Sequence, residues 1–133
     1  NNERNLAKFL EYSIREICNY LDINTKIINS SNMEKDNSLR SQERVIHICK
    51  LCNATEYINP IGGFDLYSGE DFLLHNIELS FLRARDIKYT QYKNDFVSFL
   101  SIIDIMMFNS VEKIKTFLNE FDLIKASPNI GNI

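Results

Sequence analysis

Two hydrophobic periods alternate along this chain, and few folds accommodate both. "LAKFLEYSIREICNYLDI" carries Leu6, Phe9, Leu10, Ile14, Ile17 and Leu21 on one helical face, with Asn24 just beyond as a stop signal. "TKII" (25–28) is short and β-branched and reads as a buried strand. "NSSNMEKDNSLRS" is polar and turn-forming, a loop with Ser30 and Ser31 just past that strand. A second helix follows. Ser41 is its expected N-cap, Val45, Ile48, Cys49 and Cys52 form its inner face, and Glu43 and Lys50 suit its dipole. "TEYI" (55–58) is the next strand. Ser68 and Asp71 have capping-box spacing for a short helix, "GEDFLLHN", and "IELSFL" (77–82) alternates like a strand with one wet face. "FLSIIDIMMFN" is strongly apolar, and "VEKIKTFLNEF" is amphipathic, with Val111, Ile114, Phe117, Leu118 and Phe121 on one side. This order predicts an α/β layered fold: a short, mainly parallel sheet flanked by helices, with further helices towards the C-terminus. "TKII" and "TEYI" are expected to be neighbouring parallel strands. The domain is read as residues 1–126, with a flexible tail over 127–133.

At 133 residues the chain has the size of one domain, able to bury about two-thirds of its extended surface. A net charge of −3 argues against nucleic acid or an anionic membrane as partner, since both reward a basic surface. No apolar run approaches the roughly 20 residues that a membrane helix needs. The opening "NNERNLAKFL" has neither the basic nor the apolar region of a signal peptide, and it reads as a start inside a longer protein. Three cysteines, Cys18, Cys49 and Cys52, are an odd number in a chain with ample core. The expectation is reduced thiols and a cytoplasmic setting.

Three of the four glycines fall in or near "NPIGGFDLYSGEDF". This is no dinucleotide fingerprint and no P-loop. Two readings stand: a tight strand-to-helix turn, or a loop whose Gly62 and Gly63 amides meet an oxyanion. In the second reading Arg44, near the start of the connecting helix, would clamp the anion with its planar fork; otherwise Arg44 forms a salt bridge along its helix. "HICKLC" brings His47, Cys49 and Cys52 together, but a closed zinc site needs four ligands, so buried thiols are expected and no metal. Ser101 and Asp104 stand three apart in an apolar helix, either as its cap or as site residues. His75 reads as a cation at a helix end, and "YTQY" as a polar cluster in a loop.

Taken together, "SQERVIHICKLCNATEYINPIGGFDLY", "IELSFL", "YTQYKNDF" and "FLSIIDIMMFN" resemble the WbqC-like family, known from bacterial O-antigen and other surface-polysaccharide gene clusters. The likeness spans about Asn5 to Asn109. It rests on an E-R-h-h-x-h-C helix (Glu43 to Cys49), an A-x-x-Y strand (Ala54 to Tyr57), a glycine loop ending in tyrosine (Gly62 to Tyr67), a Y-x-Q segment (Tyr89 to Gln91) and an L-S-h-h-D segment (Leu100 to Asp104). Cys52-Asn53 stands where the family has Leu-Gly, and Asn also tolerates a left-handed cap. The family carries an N-terminal part with a "QP-x-Y/F-P" start that is absent from this sequence. The resemblance implies a transferase that acylates or aminoacylates a sugar with glycine or a similar group. Its partners would be a nucleotide- or lipid-linked sugar precursor and that missing N-terminal part. The alternative is a non-catalytic binding or scaffold module in a biosynthetic complex. Candidate substrate contacts are Ser30, Arg44, Gly62, Gly63, Tyr67, Gln91, Ser101 and Asp104, with Tyr67 and Gln91 reading sugar hydroxyls. No catalytic residue and no cofactor is assigned.

Overall fold

A computed structural model describes residues 4–92 and 95–126. The expected tail lies outside these residues. The fold is mixed α/β. Helix α1 spans Leu6–Tyr20 and α2 Ser41–Leu51; strand β1 is Glu56–Pro60, continuing into a 3-10 turn, Ile61–Leu66. Then come α3 (Gly69–Leu73), β2 (Glu78–Ala84), α4 (Ile102–Phe108), α5 (Val111–Phe117) and β3 (Phe121–Lys125). No helix among the described residues is long and apolar enough to cross a membrane.

The chain divides into two compact units, each made of two separate stretches: Asn1–Ile28 with Asp86–Glu120, and Asn29–Arg85 with Phe121–Ile133. The second unit holds the sheet, ordered β1-β2-β3. β1 and β2 run parallel, with Tyr57 opposite Leu79. β2 and β3 run antiparallel, with Phe81 opposite Ile124. The parallel pair therefore joins "TEYI" to "IELSFL" rather than to "TKII". Residues 25–28 form no strand and are largely exposed. Their β-branched side chains find no ladder partner, and propensity without pairing does not make a strand. The amphipathic stretch read as helix to Phe121 ends sooner: α5 stops at Phe117, and Phe121 opens a strand, β3, that the sequence reading did not place.

Side chains two apart on β2 share a face. Leu79 and Phe81, with Ile77 just before the strand, join Ile46 and Cys49 of α2 and Phe72 of α3 in the core of this unit. Tyr57 stacks on Phe72 at 5.4 Å, and Tyr67 meets both rings edge-on. Cys49 belongs to this core, whereas Cys52, expected beside it, is exposed at the helix end. There the Ala54 amide donates to Cys49 O (2.9 Å) and the Asn53 amide to Lys50 O (3.0 Å), with Asn53 at φ 51°. This is a Schellman cap, and Asn53 does take the left-handed turn that Gly would fill. Asp22 (φ 54°) closes α1 and Asn76 (φ 58°) follows α3 with the same bond pattern, so the stop after α1 is Asp22 rather than Asn24.

Ser41, the expected N-cap of α2, is its first residue at φ 43°, and Arg40 holds the cap position without a side-chain bond to the helix's own amides. The entry is held from the other side. Arg40 donates to Asn37 O (2.5 Å) and Leu39 O (3.0 Å), and Arg44 Nε to Leu39 O (2.9 Å). Ser68 caps α3 as expected, its Oγ accepting from the Asp71 amide, and of the two readings of Ser101 the cap is seen, its Oγ accepting from the Ile103 amide. The first unit contains α1, α4 and α5, with Leu21 and Ile114 fully buried and Lys115 paired to Asp22 at 2.6 Å.

Candidate functional site

The candidate contacts fall into both units. Ser30, Arg44, Gly62, Gly63 and Tyr67 belong to the sheet-bearing unit; Gln91, Ser101 and Asp104 belong to the other.

In the sheet-bearing unit the glycine segment is a packed turn. Gly63 is buried, and a methyl group on it would stand 2.0 Å from Asn59 Nδ2. Asn59 is itself engaged, since its Oδ1 accepts the Tyr57 hydroxyl (3.2 Å). Gly62 meets nothing within 4 Å. The Arg44 side chain bonds to Leu39 O, and among the described residues it makes no bond to the glycine segment. Ser30 lies in an exposed single 3-10 turn whose entry Asn29 caps through the Ser31 amide, and Lys35 Nζ donates to Ser30 O. An anion clamp built from Ser30, Arg44 and the two glycines is not assembled by these bonds. His47 Nε2 accepts the Asp36 amide (3.2 Å), and among the described residues no three His, Cys, Asp or Glu side chains converge as a metal site would need.

The turn does frame a cleft. A space of about 480 Å³ opens over the sheet face, lined by Phe64 and Asp65 of the 3-10 turn, Tyr67 to Glu70 at the start of α3, Phe81 of β2 and Ile124 to Ala126 at the end of β3. Its α3 wall is fixed by Gln42 of α2, whose Oε1 accepts the Ser68 amide (2.6 Å) while its Nε2 donates to Asp71 Oδ2 (2.6 Å). In a full capping box Asp71 of α3 would itself accept the Ser68 amide; here Gln42 does so.

In the other unit three polar side chains meet directly. The Tyr89 hydroxyl donates to Asp104 Oδ2 at 2.6 Å, and Gln91 Nε2 donates to the same oxygen at 2.9 Å. Gln91 also grips the following loop: its Oε1 accepts the Val97 amide (2.8 Å) and its Nε2 reaches Val97 O (3.0 Å). Rings surround Tyr89, with Phe96 at 5.2 Å, Phe117 at 6.2 Å and Phe108 at 6.4 Å. Burial, and then the bond to Asp104, raise the Tyr89 pKa above its ordinary value, so the phenol stays a donor. Asp104 Oδ1 has no donor among the described residues. Ser101 starts the helix that carries Asp104, and caps it.

Sequence reasoning counted Gln91 and Asp104 among the contacts and named Tyr89, Gln91 and Asp104 as the place to seek the site should the glycine segment be only a turn, but it linked the three by no bond. The signal was available: residues two apart in an extended chain face one way, and Tyr89 and Gln91 do converge on one carboxylate. The lining of the cleft by β3 was not accessible, because sequence reasoning placed no strand after residue 120.

Comparison with known proteins finds that the model of the WbqC-like protein family matches residues 1–116. No curated protein and no solved structure matches the chain.

Proposed function

This chain belongs to the WbqC-like protein family, and from that premise we propose that it serves bacterial surface-polysaccharide assembly as a transferase that places an acyl or aminoacyl group on a sugar precursor. The observation that carries the reading is the Asp104 carboxylate. Its Oδ2 is held by Tyr89 and Gln91, which fixes the group and leaves Oδ1 without a protein donor. A sugar hydroxyl is the ligand such an oxygen suits. The hydroxyl oxygen attacks the carbonyl carbon of an ester or thioester donor as its proton passes to Asp104 Oδ1. The donor's alcohol or thiol leaves as the new ester forms and takes that proton from Asp104. Tyr89 and Gln91 act as positioning residues, holding the carboxylate through the step.

A second reading has its own observation. α1 has no buried residue, and Leu6, Phe9, Leu10 and Ile14 on its apolar face are 71%, 45%, 49% and 52% exposed. An unpartnered stripe of this kind suits a non-catalytic module that docks in a biosynthetic complex.

One experiment separates the two. The Asp104→Asn protein replaces the wild type in the producing cell, and the polysaccharide is analysed by mass spectrometry. The transferase reading expects polymer that lacks an acyl substituent, with the variant as stable as wild type. Unchanged acylation overturns it. Loss of the polymer itself on Leu10→Asp, with acylation unaffected by Asp104→Asn, supports the docking module.

A further inference from the structure

We propose that the cleft beside the glycine segment binds a small molecule that carries a protonated amine. This goes beyond the Asp104 reading and does not rest on it, since none of the three clustered residues lines this cleft.

Three properties of the lining carry the inference. The first is size. About 480 Å³ is within the range of small-molecule sites and fits a ligand of monosaccharide dimensions. The second is an aromatic wall. The Phe64 and Phe81 rings lie 4.9 Å apart, and Phe64 remains 47% exposed although its neighbour is buried. An open aromatic face attracts cations through its quadrupole and stacks on the C–H face of a sugar. The third is charge. Lys125, Asp65 and Glu70 are the charged residues of the lining. The Lys125 ammonium pairs with Glu78, and this bond raises its pKa. Asp65 and Glu70 have no pairing partner among the described side chains. Glu70 has a local reason to be acidic, since it stands in the first turn of α3. Asp65 lies in the 3-10 turn and has no such reason.

Together these make a cleft whose uncommitted charge is negative and whose wall is aromatic. An anionic ligand would face two uncompensated carboxylates. An ammonium group gains charge-assisted hydrogen bonds from Asp65 or Glu70 while its carbon body covers Phe64. The buried Gly63 and the tight Gly69 let the backbone fold closely enough to form this wall.

The test titrates the intact protein with glucosamine, ethanolamine and glucose, following amide signals of the cleft by NMR at low ionic strength. The amines are expected to bind about tenfold or more tightly than glucose, with affinity falling as salt rises. Glucosamine above ethanolamine means that the amine is read on a sugar-sized body. Equal binding means that the ammonium alone suffices. Asp65→Asn with Glu70→Gln, both at exposed positions, is expected to abolish the preference for amines, and Phe64→Ala to weaken both amines. Thermal unfolding confirms that each variant is folded. Glucose binding as well as glucosamine overturns the proposal. So does an unchanged amine affinity in the doubly substituted protein, or the absence of any shift at the cleft at millimolar amine.

Discussion

Gly69 and Ala126 approach so closely that a Cβ on Gly69 would lie 2.9 Å from the Ala126 Cβ and 3.1 Å from its carbonyl oxygen. The second contact is with backbone, which cannot rotate away. Gly69→Ala is therefore expected to push the start of α3 from the end of β3 and to cost about 1–3 kcal/mol of stability. Gly62→Ala meets open space in a turn without positive φ, and is expected to be neutral or stabilising by up to about 1 kcal/mol through the unfolded chain. Denaturant unfolding of the two variants checks the contrast. Equal losses at both sites would show that the packing argument is wrong.

Tyr57 gives a pH dependence. Burial, and then its neighbour Tyr67, push the phenol up to about 12 from an ordinary value near 10. The folded state thus holds the neutral form more strongly than the unfolded chain does. That contribution is complete below about pH 10 and is lost as pH rises towards 12. Melting temperatures measured from pH 8 to 11.5 should fall more steeply for wild type than for Tyr57→Phe. Parallel curves would contradict the assignment.

The two thiols of α2 should react in a fixed order. Cys52 is exposed, while burial, reinforced by the nearby Cys52, pushes the Cys49 thiol up. The thiolate is the reactive form, so iodoacetamide at pH 8 is expected to label Cys52 in the folded protein and to reach Cys49 only on unfolding. Peptide mass spectrometry reads the order, and prior labelling of Cys49 would reverse the burial argument.

Gln42 joins two elements through one amide, so its removal strands a backbone donor and a carboxylate. Gln42→Ala is expected to cost about 1–2 kcal/mol. Gln42→Glu keeps the acceptor for the Ser68 amide but sets a second carboxylate beside Asp71. It should be less stable than wild type at pH 7, with the deficit shrinking towards pH 4. A deficit independent of pH would place its cause elsewhere.

What was legible in the sequence was local. Helical periods, the Ser68 and Ser101 caps and the left-handed turn at Asn53 follow from short-range sterics and hydrogen bonding, which neighbouring residues carry with them. The α/β class followed from their order. The errors came where a partner distant in sequence decides. "TKII" has strand propensity without a ladder, and "FDLIK" has a ladder although only its first residue was assigned, to the preceding helix. The site divides likewise. Gln91 and Asp104 were visible as unusual polar residues, but their meeting at one oxygen with Tyr89 depends on how the intervening loop closes. The cleft needed β3, and so could not be read before that strand was found.

The sheet-bearing unit is assembled from two stretches of chain with the whole of residues 86–120 between them. During synthesis β2 leaves the ribosome with β1 already made, but its antiparallel neighbour β3 follows only after α4 and α5. Until then one edge of β2, the most buried strand, is open to pairing with another nascent chain. Biogenesis of this unit is therefore completed only once residue 125 has emerged, and a pause in translation between residues 86 and 120 exposes an aggregation-prone intermediate. Ribosome-bound chains arrested in that interval should bind holdase chaperones, and those arrested once residue 125 has cleared the exit tunnel should not.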